Sequence, residues 1–194
     1  MKTKKRILVA PLNWGIGHAT RCIPLINALI SHNYEVVIAA DGRPLHLLTT
    51  EFPNLEIVRF SGYNIKYPTY LPMSVSMLLQ SPKILFALKK ENQLLKDIIE
   101  DYAIDGAISD NRYGLYNKNV PTVFITHQLQ IQSPCFSNFI QDLNYKYINK
   151  FDACWVMDDE KINLAGDLSK PRILPSNTTY IGAQSRFEKW EEEK

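Results

Sequence analysis

Across its 194 residues the chain carries 22 lysines and arginines against 20 aspartates and glutamates, a net charge of +2. This near balance supplies no basic field of the kind that attracts nucleic acid, so we expect no nucleic-acid partner. Three cysteines, Cys22, Cys135 and Cys154, are far apart and form no CxxC pair. They are typical of reduced core thiols in a cytoplasmic protein rather than of a disulfide framework or a zinc site.

Strand and helix patterns alternate along the chain, which predicts an α/β fold with an open, mainly parallel sheet and helices on both faces. Apolar runs predict six strands, at residues 6–10, 35–40, 55–60, 107–109, 122–126 and 153–157. Apolar residues at helical spacing predict helices after the first strand and over residues 43–51, 84–102 and 139–148. The pattern is Rossmann-like, and its common strand order 3-2-1-4-5 puts the first and fourth strands side by side.

A glycine turn that contains a histidine follows the first strand, with the sequence Asn-Trp-Gly-Ile-Gly-His-Ala-Thr-Arg over residues 13–21. Gly15 and Gly17 allow a close backbone approach, and the unpaired N–H groups of the next helix suit an anion. Because Pro24 fits best in a first helical turn, the helix is predicted to begin between Thr20 and Ile23, with His18 in the turn before it. The loop is predicted to hold a polar ligand.

Polar residues follow most of the predicted strands, at the sheet edge where open α/β folds bind ligands. They are Asn13 and Trp14, Asp41, Asp110 to Arg112, His127 and Gln128, and Asp158 and Asp159. Because the first and fourth strands are neighbours, we expect the side chains of His18 and Asp110 to lie within ~3.5 Å of each other or to share one water. A carboxylate bound to an imidazole fixes its tautomer and makes it a better base near neutral pH.

Simpler interpretations of these residues stay open. His18 is equally explained as a capping or structural contact, and Asp110 as the N-cap of a segment over residues 111–116. His127 is a pocket-lining or structural group, or less plausibly a second base. Asp158 and Asp159 are explained by helix capping or by a metal site, of which capping needs fewer partners.

The string from Ile7 to Asp41 resembles the N-terminal domain of GT-B glycosyltransferases through its Gly15-Ile-Gly-His-Ala-Thr-Arg21 motif and the Pro24 that follows. The resemblance is to bacterial relatives of the lipid-linked N-acetylglucosaminyltransferase of peptidoglycan synthesis and of the UDP-glycosyltransferases. It implies that His18 is the base that deprotonates the acceptor hydroxyl. The segment Ile108-Ser-Asp110 is similar to the one that carries the supporting aspartate in plant-type members.

The closing residues 180–187 resemble the stretch before the linker between the two GT-B domains. This implies an acceptor-binding domain over residues 1–182 and the start of a linker or tail over residues 183–194. The second, donor-binding domain is expected as a partner in cis or in trans. We therefore expect the chain alone to show no transfer activity and only weak affinity for nucleotide sugars.

The reaction that the resemblance implies is an inverting sugar transfer from a nucleotide sugar to a hydroxyl of a sugar, a lipid-linked or a small-molecule acceptor. It requires no metal and no other cofactor. His18 and Asp110 are the expected catalytic pair. Their expected neighbours in substrate binding are Asn13, Trp14, Gly15, Gly17, Arg21, Asn111, Arg112, His127 and Gln128.

Residues 70–88 are rich in Leu, Met, Ile and Phe, but Pro72, Pro82 and Lys83 interrupt them, so no run of ~18 apolar residues can span a bilayer. Two interpretations stay open. The stretch is a helix pair that packs on the domain or covers the acceptor, or it is an amphipathic surface that contacts a lipid-linked substrate or the inner face of a membrane.

Two other classes of function also stay open. One is a non-catalytic subunit of a split glycosyltransferase that binds the acceptor or the other subunit. The other is a nicotinamide-dependent oxidoreductase with Asp41 as its ribose-binding acid. This second alternative is weak, because the dinucleotide fingerprint needs a glycine or alanine where Thr20 stands.

Overall fold

The computed structural model describes residues 4–61, 81–131, 137–162 and 164–187. Within these ranges the strands are β1 (Arg6–Pro11), β2 (Glu35–Ala40), β3 (Glu56–Arg59), β4 (Gly106–Asp110), β5 (Thr122–Thr126), β6 (Ala153–Val156) and β7 (Thr178–Tyr180). The helices are α1 (Ile16–Ser31), α2 (Gly42–Glu51), α3 (Ser81–Asp101) and α4 (Ser137–Ile148), with a short 3-10 helix over Gly166–Leu168.

The strands form one parallel sheet in the order β3-β2-β1-β4-β5-β6-β7. In the middle, Val9 of β1 is in register with Ile38 of β2 on one side and with Ile108 of β4 on the other. The strand order therefore reverses between β1 and β4, as predicted. A parallel sheet of this kind binds ligands beyond its carboxyl ends at such a reversal.

Two apolar clusters cover the two faces of the sheet, because successive strand residues point to opposite sides. Leu8 of β1 packs in the cluster that contains Leu95 of α3 and Ile148 of α4. Val9 packs in the other cluster, with Ile26 of α1 and Leu48 of α2. Helices thus lie on both faces, which confirms the predicted α/β class.

Most element bounds agree with the sequence prediction to within one or two residues. The third strand is shorter than predicted and spans only Glu56–Arg59. β7 was not predicted, since its three residues Thr-Thr-Tyr carry no buried apolar run. The predicted irregular insertion over residues 61–82 lies mostly outside the described residues.

Cys22 and Cys154 are buried free thiols, whereas Cys135 lies outside the described residues. Burial raises the pKa of the Cys22 thiol well above its ordinary value, with a further contribution from the Asp110 carboxylate. Burial likewise raises the pKa of Cys154 to about 12. Both groups are therefore neutral packing residues at physiological pH, in agreement with the predicted core thiols.

Residues 70–80 lie outside the described residues, so only the end of the apolar stretch 70–88 is visible, as the first turns of α3. There Leu85 and Phe86 are exposed, whereas Leu88 is buried. Across the described helices, none combines the length and the apolar character needed to cross a membrane.

Candidate active site

The loop between β1 and α1 lies at the reversal of strand order and turns sharply at Gly15. Gly15 is the N-cap of α1 and has φ 92°, a conformation that side-chain-bearing residues rarely adopt. No described atom outside the adjacent backbone lies within 4 Å of where a side chain would begin at Gly15 or at Gly17. The backbone at the N-terminus of α1 is therefore open to approach.

The helix begins earlier than the sequence predicts, which moves His18 from the turn into the first turn of α1. α1 starts at Ile16, and Pro24 lies inside it. The prediction relied on the preference of proline for a first turn, but an internal proline is tolerated when tertiary packing compensates for the missing N–H. Here the flanking residues Cys22, Ile23 and Ile26 are buried in the core.

Three residues of α1 face the carboxyl end of β4 because they are spaced i, i+3 and i+4. They are His18, Arg21 and Cys22. The Sγ atom of Cys22 lies 3.9 Å from Oδ2 of Asp110. The early helix start is what creates this shared face, so the error in the predicted start also concealed the contribution of Arg21.

Asp110 is the last residue of β4, is fully buried, and points to the α1 face. Its Oδ2 atom lies 3.1 Å from Nδ1 of His18, so the predicted proximity is present. Residues 111–116 form no helix, and Asp110 therefore caps none. A buried carboxylate needs compensating partners, and His18 is only one of them.

Arg21 forms a two-point ion pair with Asp110. Its Nε donates to Oδ2 at 2.7 Å, and its Nη2 donates to Oδ1. The same Nη2 lies 2.7 Å from Nδ1 of His18. Arg21 was predicted as a substrate-binding residue, but its described contacts are with the two predicted catalytic side chains and with His127, which makes it part of their support.

His127 follows β5 and joins this group from the other side. Its Nδ1 lies 2.7 Å from Nη1 of Arg21. Burial lowers the pKa of His127, and the neighbouring side chains of Arg21 and His18 lower it further. His127 is therefore neutral at physiological pH, whereas a nearby carboxylate alone would raise its pKa.

The exposed rim of the site is formed by the β1–α1 loop and the ends of β4 and β5. Trp14 is 54% exposed. Gln128 is also exposed, and its N–H donates to Thr126 Oγ1 at 2.9 Å. Asn111 is partly buried with φ 56°, and its N–H donates to the carbonyl of Ile125.

Asn13 is half-buried and packs against the first residue of α2. A side chain on Gly42, which has φ 59°, would begin only 2.9 Å from Nδ2 of Asn13. Asp41 is the N-cap of α2, although its side chain forms no capping hydrogen bond. Asn13 is thus held at the edge of the loop by α2.

The assignment of Arg112 to the acceptor rim is wrong. Arg112 is fully buried on the opposite face of the sheet, and its Nε donates to Oε1 of Glu91 at 2.8 Å. Ser109, the neighbour of Asp110 in β4, bonds to the backbone of Arg112. Because adjacent strand residues point to opposite faces, the step from Asp110 to Ser109 leads away from the site.

Asp158 organises the loop after β6. Its carboxylate accepts the N–H groups of Leu164 and Ala165 and the hydroxyl of Ser169. Burial alone would raise the pKa of Asp158, but these hydrogen bonds outweigh it and lower the pKa. Asp158 therefore holds the loop together and caps no described helix, since the 3-10 helix that follows has Ala165 as its N-cap and no side-chain capping hydrogen bond. In the described part of the chain, no group of three or more His, Cys, Asp or Glu is arranged to hold a metal ion.

Comparison with known sequences identifies one family. A family model described as "Glycosyl transferase family 1" matches residues 5–135, about two thirds of the chain. The match covers β1 to β5 and so includes His18, Asp110 and His127. No curated protein sequence matches the chain.

Several solved structures have a similar fold. UGT89C1 of Arabidopsis thaliana in complex with quercetin aligns with a TM-score of 0.60 and 12% identity, over 96% of this chain and 52% of that one. Phytolacca americana UGT2, complexed with UDP-2fluoro-glucose and pterostilbene, gives 0.55 and 12%, over 93% and 54%. The spinosyn forosaminyltransferase SpnP gives 0.52 and 15%, over 93% and 50%. The chain spans about half the length of these structures, and at such identities the likeness shows the fold, which confirms the resemblance to one half of a GT-B enzyme.

Proposed function

The chain belongs to glycosyl transferase family 1, and we propose that it is the acceptor-binding half of an inverting glycosyltransferase with His18 as general base. The donor in this proposal is a nucleotide sugar. The acceptor is a hydroxyl of a sugar, a lipid-linked or a small molecule. A second domain, in cis or in trans, holds the donor, so residues 1–182 alone bind the acceptor without transferring a sugar.

One observation carries the proposal: the 3.1 Å contact between His18 Nδ1 and Asp110 Oδ2 at the carboxyl ends of the two central strands. When Nδ1 carries the ring proton and donates a hydrogen bond to the Asp110 carboxylate, the lone pair of Nε2 can accept the proton of an acceptor hydroxyl. The Asp110 carboxylate then stabilises the imidazolium that forms.

The bond changes of this step balance without a metal or a redox cofactor. The acceptor oxygen forms a bond to the anomeric carbon while the bond from that carbon to the departing phosphate oxygen breaks. The leaving nucleotide takes the electron pair, and His18 holds the proton. Attack from the face opposite the leaving group inverts the configuration at the anomeric carbon.

The surface next to His18 supports acceptor binding. Trp14 and Ile16 are about half exposed at the start of α1, and the backbone at Gly15 and Gly17 is open. An exposed indole next to a polar loop provides an apolar face together with hydrogen-bonding groups, a combination common in small-molecule sites. We place the protein in the cytoplasm, with a peripheral membrane contact if the acceptor is lipid-linked.

A second candidate function is a non-catalytic subunit that binds the acceptor or the donor domain, and one observation favours it. His18 Nδ1 lies closer to Arg21 Nη2 than to Asp110 Oδ2, at 2.7 Å against 3.1 Å. An imidazole that accepts from Arg21 carries its proton on Nε2 and has no lone pair there for a substrate. Because Thr20 occupies a position that the dinucleotide fingerprint reserves for glycine or alanine, the oxidoreductase alternative gains no support.

The test is a transfer assay on a two-domain enzyme that contains this chain, starting with UDP-glucose and a panel of hydroxylated acceptors. His18→Ala should lower turnover by ~10²–10⁴ and leave folding nearly unchanged. His46→Ala, a substitution of an exposed histidine on α2, is the matched control and should retain full activity. Equal turnover in His18→Ala and the parent would remove His18 from the chemistry and favour the binding-subunit alternative.

A further inference from the structure

Arg21 is the hub of the site, since its guanidinium contacts three ionisable groups at once. Nε and Nη2 donate to the two oxygens of Asp110, Nη2 also faces His18, and Nη1 faces His127. The contacts to both histidines are made at Nδ1, each at 2.7 Å. The side chain is only 14% exposed, so solvent screens these contacts weakly.

The guanidinium only donates hydrogen bonds and stays protonated at any physiological pH. A ring nitrogen 2.7 Å from it must therefore present a lone pair, because an Nδ1–H would point at another N–H. For His127 this leaves the ring proton on Nε2. The imidazolium form, with N–H on both nitrogens, is disfavoured for the same reason, in agreement with the lowered pKa of His127.

Nδ1 of His18 can form only one of two hydrogen bonds at a time, with Asp110 or with Arg21. If Nδ1 donates to Asp110, Nε2 is free to act as a base; if Nδ1 accepts from Arg21, the proton resides on Nε2. Asp110 is also already neutralised by its ion pair with Arg21. A proton taken up by His18 therefore forms a second cation beside Arg21, which limits how strongly Asp110 can stabilise it.

We propose that Arg21 is a positioning residue that assigns the protons of both histidines: it holds His127 as a neutral Nε2–H donor, and it competes with Asp110 for Nδ1 of His18. His127 is then a hydrogen-bond donor for a substrate oxygen and not a second base. His18 becomes a base when its Nδ1 turns from Arg21 to Asp110. The part that concerns His127 stands independently of the proposed function, whereas the part that concerns turnover rests on it.

Other titratable groups near this cluster do not reverse the assignment. The charges of Asp110 and Asp158 raise the pKa of His127, but burial and the neighbouring side chains of Arg21 and His18 outweigh them. Cys22 stays neutral because burial raises the pKa of its thiol. Removing the Arg21 cation by substitution is therefore the change that should most clearly alter the protonation of the two imidazole rings.

The experiment is long-range ¹H–¹⁵N NMR of the ¹⁵N-labelled full chain, which reports the tautomer and the pKa of each histidine. In the parent, His127 should be the Nε2–H tautomer and should titrate below the exposed His46. In Arg21→Gln, His127 should titrate ~0.5–1 pH unit higher than in the parent, and its tautomer should become mixed. Arg172→Gln, which removes an exposed arginine, should leave both readouts unchanged.

Arg21→Gln leaves the buried Asp110 charge without its arginine, so it is paired with the double variant Arg21→Gln/Asp110→Asn, whose two amides can bond to each other. The pKa of His127 is expected to rise in both variants, and to rise less in the double variant, because the Asp110 charge that raises this pKa is removed as well. An Nδ1–H tautomer of His127 in the parent, or a titration equal to that of His46, would overturn the proposal. So would unchanged His127 spectra in the folded variants.

Kinetics separates this inference from the proposed function. In the two-domain enzyme, Arg21→Gln should shift the acidic limb of the kcat profile to higher pH, because His18 loses a neighbouring cation; a purely structural loss would lower kcat at all pH values alike. If His18→Ala is fully active while the tautomer of His127 is as expected, the proposed function fails and the proton assignment stands. If His18→Ala is inactive while the parent His127 titrates like His46, the reverse holds.

Discussion

Two arginine–carboxylate pairs lie at the same edge of the sheet, one on each face, and they differ in what surrounds the arginine. Arg21 and Asp110 lie on the α1 face, next to the exposed β1–α1 loop. Arg112 and Glu91 lie on the α3 face and are almost completely buried. The adjacent strand residues Ser109 and Asp110 point to opposite faces: the Ser109 hydroxyl donates to the backbone carbonyl of Arg112, and the Asp110 carboxylate accepts from Arg21.

The remaining donors of each arginine distinguish the two pairs. Arg112 donates to the backbone carbonyl of Ser61 at 2.6 Å, and its guanidinium lies 4.2 Å from the ring centroid of Phe60. These contacts join the end of β3 to β4 and α3. Arg21 instead directs its remaining donors at Nδ1 of His18 and of His127, two side chains that can gain or lose a proton. The same type of ion pair therefore stabilises the fold on the α3 face, and on the α1 face it sets the protonation of the two histidines.

Breaking the buried pair on the α3 face should have the largest effect on stability. Glu91→Gln keeps the shape of the side chain but leaves the Arg112 charge buried without its carboxylate. We expect the free energy of unfolding to fall by about 3–5 kcal/mol, the usual consequence of removing one partner of a buried ion pair. Urea unfolding followed by circular dichroism measures this change.

The matched control is Glu100→Gln, which makes the same chemical change on an exposed position of α3. It should alter the free energy of unfolding by no more than about 0.5 kcal/mol. A loss of stability in Glu91→Gln no larger than in the control would show that the Arg112 pair does not stabilise the fold and that the two faces do not differ in this respect.

The two pairs should also differ, by a smaller effect, in how the free energy of unfolding depends on pH. The pKa of His127 is lowered in the folded protein, so below the unfolded value of about 6.5 the unfolded chain binds more protons. Stability contributed by neutral His127 is present above that pH and is lost as the pH falls toward the folded pKa. The slope cannot exceed ~1.4 kcal/mol per pH unit for one proton.

The variant that checks this slope is His127→Asn, whose side-chain oxygen can still accept from Arg21 near the position of Nδ1. Its free energy of unfolding should fall less than that of the parent between pH 7 and pH 5. Arg112→Lys, on the other face, should keep the slope of the parent. Parallel curves for the parent and His127→Asn would contradict the lowered pKa.

The sequence predicts the sheet well and the site only in part, for physical reasons. Buried parallel strands are continuous apolar runs, so β1, β2 and β5 are visible from composition. The neighbours His18 and Asp110 follow from strand order alone. The role of Arg21 was missed because the position of Pro24 suggested a later helix start. The helix begins at Ile16, at least four residues earlier than predicted, and this places His18 on the same helix face as Arg21.

Arg112 shows a second limit of prediction from the sequence. Its place after a strand suggested the rim, but Glu91, its partner, is 21 residues away on α3. Nothing in the local sequence reveals that the backbone after Asp110 turns this side chain back under the sheet. Asn111 makes that turn with φ 56°, a conformation that asparagine tolerates better than most residues. Such long-range pairing depends on tertiary packing and has no periodic sequence pattern.

The smallest expected effect is that of adding a methyl group on the exposed surface of the first turn of α1. Gly17 lies in the first turn of α1, and a side chain there would meet no described atom within 4 Å. Gly17→Ala should therefore raise the free energy of unfolding by ~0.5–1 kcal/mol, since alanine loses less entropy in a helix. In the transfer assay the added methyl group should raise KM for the acceptor, because it occupies the surface next to His18.

Gly42→Ala is the contrasting variant: with φ 59° and Asn13 Nδ2 only 2.9 Å from the new methyl group, it should destabilise the fold by about 1–2 kcal/mol. A stabilised Gly17→Ala enzyme with an unchanged KM would mean that the acceptor does not approach through the β1–α1 loop, and the binding surface would then have to be sought at the ends of β4 and β5.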